Sequence, residues 1–281
     1  IPSKYGGRIS SVMDIKVKNP FVNKFKINGG IGLLSSRLNL TTPLIKDKLF
    51  LLAGFRAGFT DILFPIFVER LENTKANFSD GTLKLLYLLN EDNQMSYTFF
   101  KSNDFYQLDL ISKVENINAK SNQYDFGTSN HTLSWIHNFK NNTILKSSVV
   151  HSNYSPMNLF PEQDSDNVIT FKSEVKRLSF QTNYVDNRNE KLNYSIGFQT
   201  KNYIIKPGSL FPGNGNSVTP INLNDEVSID LSTYFNLNWN PQENISISGG
   251  LRHTFFNFLG PYDLAQYDDD ENQISISSFE K

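Results

Sequence analysis

The chain has 281 residues, with 27 Lys and Arg against 28 Asp and Glu, a formal net charge of −1, no Cys, and 13% aromatics including 23 Phe and 12 Tyr. The balanced charge offers no electrostatic footprint for nucleic acid, and the lack of Cys excludes both a disulfide framework and any thiolate metal site. No window approaches 18 consecutive apolar residues, so no transmembrane helix is encoded; the mean hydropathy of −0.38 belongs to a chain that is neither oily nor disordered.

Alternation with period two dominates. In chain order it predicts ten strands, at residues 24–44, 49–60, 81–90, 94–104, 124–139, 143–155, 168–186, 191–205, 226–240 and 245–259. The first slips phase near Leu33–Leu34 and the seventh near Val175–Leu178, where a bulge or a strand end rising above a membrane would account for the slip. The eighth sets Leu192, Tyr194, Ile196 and Phe198 against Asn193, Ser195, Gly197 and Gln199. The ninth is cleanest: Val227, Ile229, Leu231, Thr233, Phe235, Leu237 and Trp239 share one face, and Ser228, Asp230, Ser232, Tyr234, Asn236 and Asn238 the other. The tenth sets Ile245, Ile247, Leu251 and Phe255 against Ser246, Ser248, Gly250 and Arg252.

Strands of this length exceed the five or six residues usual in globular sheets and suit a tilted crossing of a bilayer, which needs about nine to eleven. The connections alternate in size. Short polar turns fall at 45–48, 91–94, 140–142, 187–191 and 241–244, and longer Pro-, Gly- and Asn-rich segments at 62–80, 104–123, 156–166, 206–224 and from 260 onward. Tight turns on one side and long loops on the other are the asymmetry of outer-membrane barrels. Trp135, Phe139, Trp239 and Phe50 lie next to short turns, where amphipathic rings would form a membrane-interface girdle. The competing reading is a β-sandwich or propeller, a secreted or surface module that binds glycans or adheres, with these aromatics packed in its core.

The opening stretch, Ile1-Pro2-Ser3-Lys4-Tyr5-Gly6-Gly7-Arg8-Ile9-Ser10-Ser11-Val12-Met13-Asp14-Ile15-Lys16-Val17-Lys18, resembles the end of the plug in TonB-dependent outer-membrane receptors, closest to the subgroup common in Bacteroidetes. In that group a Tyr-Gly turn leads to a last plug strand, here Ser10 to Lys18. Gly29-Gly30-Ile31-Gly32-Leu33-Leu34-Ser35-Ser36-Arg37-Leu38 and Pro43-Leu44-Ile45-Lys46-Asp47-Lys48 are similar to that group's first barrel hairpin. The resemblance implies an all-β fold: part of a 22-stranded antiparallel transmembrane barrel, about ten strands of it present, with residues 1–20 ending a plug and 21–281 forming the N-terminal portion of the barrel. It implies residence in the outer membrane of a Gram-negative bacterium and import of a scarce ligand such as a siderophore, vitamin, oligosaccharide or peptide. The partners implied are the lipid bilayer, TonB through a segment preceding Ile1, and a surface lipoprotein as a further partner to test for. No cofactor is expected, and the start of the chain shows no export signal, which suits a beginning further upstream.

Little in the sequence suggests catalysis. His131, His137, His151 and His253 form no metal-binding spacing, and no Gly-x-Ser-x-Gly elbow occurs, so no enzyme is expected. Asp268-Asp269-Asp270-Glu271 could gather calcium, but without the EF-hand spacing it reads as a solvated loop. Tyr106, Tyr154 and Phe211 are the candidate ligand contacts, expected on outer loops. Arg8, Asp14, Arg37 and Arg56, with Arg252, are the charged residues expected to pair plug with barrel.

Overall fold

The computed structural model describes residues 2–7, 10–60, 74–108, 122–162, 166–215, 218–268 and 273–279. The described residues form fourteen strands: β1 (Lys26–Ile31), β2 (Ser35–Ile45), β3 (Leu49–Phe59), β4 (Lys75–Leu88), β5 (Asn93–Leu108), β6 (Asn122–Asn138), β7 (Thr143–Pro161), β8 (Val168–Asp186), β9 (Leu192–Phe211), β10 (Ile221–Asn222), β11 (Glu226–Gln242), β12 (Ile245–Gly260), β13 (Tyr262–Tyr267) and β14 (Gln273–Phe279). Twelve belong to one antiparallel sheet that runs in chain order from β1 to β9 and on to β11 and β12, with the short β10 paired to β9. The strands β13 and β14 pair separately. Neighbours in sequence are neighbours in space throughout this sheet, across short turns and long connections alike. Asp47 (φ 55°) and Asn142 (φ 62°) supply the left-handed residue in two of these turns, a conformation that short polar side chains tolerate.

Three expectations are corrected. The single strand predicted at 24–44 is two: the chain reverses at Leu33–Leu34, where the Gly32 amide donates to the Ser35 carbonyl at 2.9 Å, so the phase slip there is a hairpin turn. The slip near Val175–Leu178 coincides with no bulge, since the ladder is regular there; the register shift lies between Lys172 and Glu174, opposite the Lys206-Pro207-Gly208 stretch of β9. Pro207 has no amide to donate, which favours an interrupted ladder at that point. The segment from Ser10 to Lys18 carries no strand, because it crosses the face of a sheet whose backbone groups are already paired.

The strands also overrun the predicted loops. β7 continues to Pro161, β9 to Phe211 and β5 to Leu108, and the region after Gly260 folds back as β13 and β14. In these extensions polar residues, Pro156, Pro207 and Gly208 interrupt the hydrophobic alternation while the strands continue.

The two faces differ in chemistry. One cross-strand row joins Ser96, Ser134, Ser148, Gln181, Gln199, Ser232 and Thr254. The row beside it, on the opposite face, joins Tyr97, Leu133, Val149, Phe180, Thr200, Leu231 and Phe255. Burial is inverted relative to a water-soluble protein: Ser232 is 1% exposed, whereas Ile196, Ile247, Leu251 and Phe255 are 51%, 51%, 78% and 55% exposed. Among the described residues only Phe50, Leu52, Leu86 and Tyr234 are buried large apolar or aromatic side chains. The extensive contacts of each strand are with its ladder neighbours, so among the described residues the apolar face has no second layer of the kind a sandwich would supply. Such a face is stable in hydrocarbon and costly in water.

Candidate functional site

The N-terminal segment lies on the polar face. Its first residues reach the far end of the sheet: Asn236 on β11 accepts the Ser3 amide through Oδ1 at 2.7 Å. Arg252 on β12 donates through Nη1 to the carbonyls of Ser3 (3.3 Å) and Lys4 (3.1 Å), and through Nη2 to Gln199 Oε1 on β9 at 3.0 Å. The guanidinium carbon sits 5.8 Å from the Tyr234 ring centre, so stacking and hydrogen bonding fix the same planar group. A side chain at Gly6 would collide with Arg252, and one at Gly250 with Ser3, which explains glycine at both positions.

Further along, the segment returns to the near end of the sheet. The Lys84 ammonium on β4 donates to the Val17 carbonyl at 2.7 Å, and Lys84 is only 8% exposed. Phe21 meets Phe50 edge to face at 5.7 Å beside the buried Leu52 and Leu86. Charge-assisted hydrogen bonds at one end and an aromatic contact at the other therefore hold the segment by both ends. Beside these anchors lie two clefts. One, of ≈ 630 Å³, is walled by Pro2 to Lys4 and by Lys146, Asn183, Asn193, Ser195 and Asn236. The other, of ≈ 350 Å³, lies between Val17–Lys18 and Arg37, Asn39, Arg56 and Asp80.

The residues expected to join plug and barrel divide. Arg8 lies outside the described residues. Asp14 pairs within the segment: it accepts the Tyr5 hydroxyl at 2.6 Å, with Lys16 at 2.8 Å and Lys4 at 3.8 Å. Its hydrogen bonds from Lys16 and Tyr5 hold its carboxyl below the usual range. Arg56 pairs with Asp80 at 2.7 Å and stacks 5.0 Å from Phe78, both within the sheet. Arg37 faces the smaller cleft. Of the five, Arg252 grips the segment. Lys84 and Asn236 were missed, although a lysine flanked by Leu83 and Leu85 on a polar face was a visible signal.

The aromatics also divide. Trp135 is exposed at the turn end of the apolar face, where its indole Nε1 donates to Asn93 Oδ1 at 3.1 Å and its ring lies 5.9 Å from His137. Phe139 meets His137 at 4.3 Å and Tyr184 at 6.4 Å, and Trp239 is 45% exposed. Phe50 differs: it points to the polar face and is 4% exposed, because β3 turns it toward Phe21. His131 and His151, 6.0 Å apart, stand on the apolar face with the Tyr97 hydroxyl 2.8 Å from His131 Nδ1. No cluster of three or more metal-ligating side chains occurs among the described residues, and Asp269 to Glu271 lie outside them. Tyr106, Tyr154 and Phe211 lie on strands rather than loops: β5 and β9 extend past their predicted ends to include Tyr106 and Phe211, and Tyr154 falls within the strand predicted at 143–155. Tyr106 and Tyr154 sit on the polar face, and Phe211 on the opposite one, 5.9 Å from the Lys172 ammonium.

No family model matches the sequence, and no curated protein is similar to it. Solved structures are. The ferripyoverdine receptor of the outer membrane of Pseudomonas aeruginosa bound to ferripyoverdine matches 87% of this chain and 39% of its own, at 13% identity and a TM-score of 0.64. The ferric-catecholate import receptor Fiu of Escherichia coli K12 matches 92% of this chain and 46% of its own, at 13% identity and a TM-score of 0.57. The siderophore receptor PirA of Acinetobacter baumannii matches 83% and 39%, at 14% identity and a TM-score of 0.55. The chain thus spans less than half the length of these receptors, and what it shares with them is the fold: the antiparallel wall of an outer-membrane receptor barrel.

Proposed function

We propose that this chain is the end of the plug and the N-terminal portion of the barrel of a TonB-dependent transporter in the outer membrane of a Gram-negative bacterium. The observation that carries the reading is the inversion of polarity across one continuous twelve-stranded sheet, with the N-terminal segment held on the polar side by Arg252 and Lys84. Apolar side chains look into lipid, polar ones line a wet lumen, and residues 2–20 form the part of the plug nearest the wall. Import of a scarce ligand from outside follows as the function, with no enzymatic step.

The neighbours favour a ferric siderophore as the first cargo to test, ahead of a vitamin, oligosaccharide or peptide; fold alone does not choose among them. The opening motif supports membership of the subgroup common in Bacteroidetes. TonB is the energy-coupling partner, and a surface lipoprotein is a further partner to seek by pull-down. The test uses the whole receptor in cells whose iron is supplied only as a ferric siderophore. Growth is expected with the receptor and functional TonB and lost when either is deleted; uptake that persists without TonB overturns the reading.

A further inference from the structure

The apolar face of β8 changes character abruptly. Leu178 and Phe180 are 53% and 39% exposed, and the next positions on the same face are Lys176, Glu174 and Lys172. β9 repeats the change, passing from Phe198 and Ile204 to Lys206, which pairs with Glu174 across the ladder. On one side the boundary extends along the cross-strand row Lys101, Ser129, Asn153 and Lys176; on the other, the same row continues with the apolar Ile204 and Val227, and β9 becomes polar at the next position on that face, Lys206.

Lys176 and Lys206 both contact Oε2 of Glu174, at 3.0 and 3.3 Å, so their nitrogens lie no more than 6.3 Å apart. Lys172 stands over Phe211 beside them. Three ammonium groups and one carboxylate leave two positive charges concentrated where an apolar face ends. Ammonium groups at the rim of a hydrocarbon layer extend their tips toward the headgroups, and the positive charge that Glu174 leaves unbalanced favours a further anion there. A phosphate offers several strong acceptor oxygens and enough charge to neutralise the excess.

We propose that Lys172, Lys176 and Lys206 form a binding site for the phosphate of a phosphorylated lipid headgroup in the leaflet on the loop side, with Glu174 setting the spacing of the two nearer lysines. The site rests on the reading of this sheet as a membrane-embedded barrel wall. It lies on the lipid side of the wall, away from the lumen, so it concerns the bilayer and not the cargo.

The test uses the full-length protein purified in a neutral detergent, with micelles containing a diphosphorylated glycolipid or the same glycolipid after enzymatic dephosphorylation. Lipid retained per protein after washing is the readout, with free inorganic phosphate as competitor. Wild type is expected to retain the phosphorylated form and to release the dephosphorylated one, with free phosphate a poor competitor. Each Lys→Gln change is expected to weaken retention about fivefold, and Glu174→Gln to strengthen it by a similar factor. Equal retention of both glycolipids, lysine variants that match wild type, or full displacement by inorganic phosphate overturns the proposal. Glu174→Gln, which removes no lysine, decides the matter should the lysine variants not fold. Failure of the wild-type protein to fractionate with outer membranes would sink the barrel reading itself, a result separable from loss of lipid selectivity in a protein that inserts normally.

Discussion

Arg252 reaches the carbonyl of Lys4 at 3.1 Å across 248 positions of chain, tying the twelfth strand to the N-terminal segment. Hydrogen bonds to a charged donor contribute about 1.5–3 kcal/mol each when their alternatives are unsatisfied, less in contact with water. Arg252→Gln is therefore expected to loosen the segment by about 2 kcal/mol and leave the sheet intact. Limited proteolysis of the folded protein should cleave before Lys18 at least tenfold faster in the variant. Gly6→Val should do the same by displacing Arg252 sterically. Unchanged cleavage in both would show that the segment is held elsewhere.

The Lys84 to Val17 bond tests the other anchor. Lys84→Met keeps the length of the side chain and removes the donor, so the second half of the segment should detach while Ser3 stays bound to Asn236. A spin label at residue 16 is expected to gain mobility, and one at residue 4 to keep its wild-type spectrum.

Asp14 supplies a pH dependence. Its folded-state pKa is depressed by Lys16 and Tyr5, so the stabilisation is complete above the ordinary carboxylate pKa of 3.8 and is lost as pH falls through the lower folded value. The carboxylate is 37% exposed, and solvent screening keeps the effect well under about 1 kcal/mol. Proteolysis with an acid-active protease should show the N-terminal segment loosening below pH 3.8 in wild type. Asp14→Asn should remove that dependence.

Phe180 and Gln181 are adjacent on β8 and face opposite ways. Phe180→Arg places a cation in hydrocarbon and should lower stability by about 2–4 kcal/mol, whereas Gln181→Arg faces water and should stay within about 0.5 kcal/mol. Denaturant titration of the protein refolded into bilayers measures both. A reversal of the two costs would place the polar face in lipid.

The chain has two Trp, Trp135 and Trp239, each at the turn end of its strand and exposed at 37% and 45%. Lipids brominated near the headgroup should quench the native fluorescence strongly, and those brominated near the chain ends weakly. The opposite order would exclude an interface position.

Much of this architecture was legible in residue order. The alternation of β11, Val227 to Trp239 against Ser228 to Asn238, fixes its faces without coordinates, and the register Phe235–Ile196 and Asn236–Ser195 keeps like with like across the ladder. The reversal at Leu33–Leu34 was not legible, because two exposed leucines carry none of the usual turn chemistry and the alternation merely changes phase. Phe50 was misplaced for a related reason: next to a turn, an aromatic on either face has the same sequence neighbours, and only the Phe21 ring tells them apart. The anchors Lys84 and Asn236 were hidden because their partners are backbone groups, Val17 carbonyl and Ser3 amide, which leave no trace in side-chain identity.

The strands differ greatly in length, and the turn ends of β6 and β11 carry Trp135 and Trp239. β2 and β3 have 11 residues each, whereas β7 and β8 have 19 and β9 has 20. At about 3.3 Å per residue the longer ribbons carry roughly 30 Å of additional contour, more than a tilted crossing of a bilayer requires. Under the proposed reading of this sheet as a barrel wall, β7 to β9 would stand out of the membrane like a parapet, and a bulky cargo would meet paired, rigid backbone there before it met any floor.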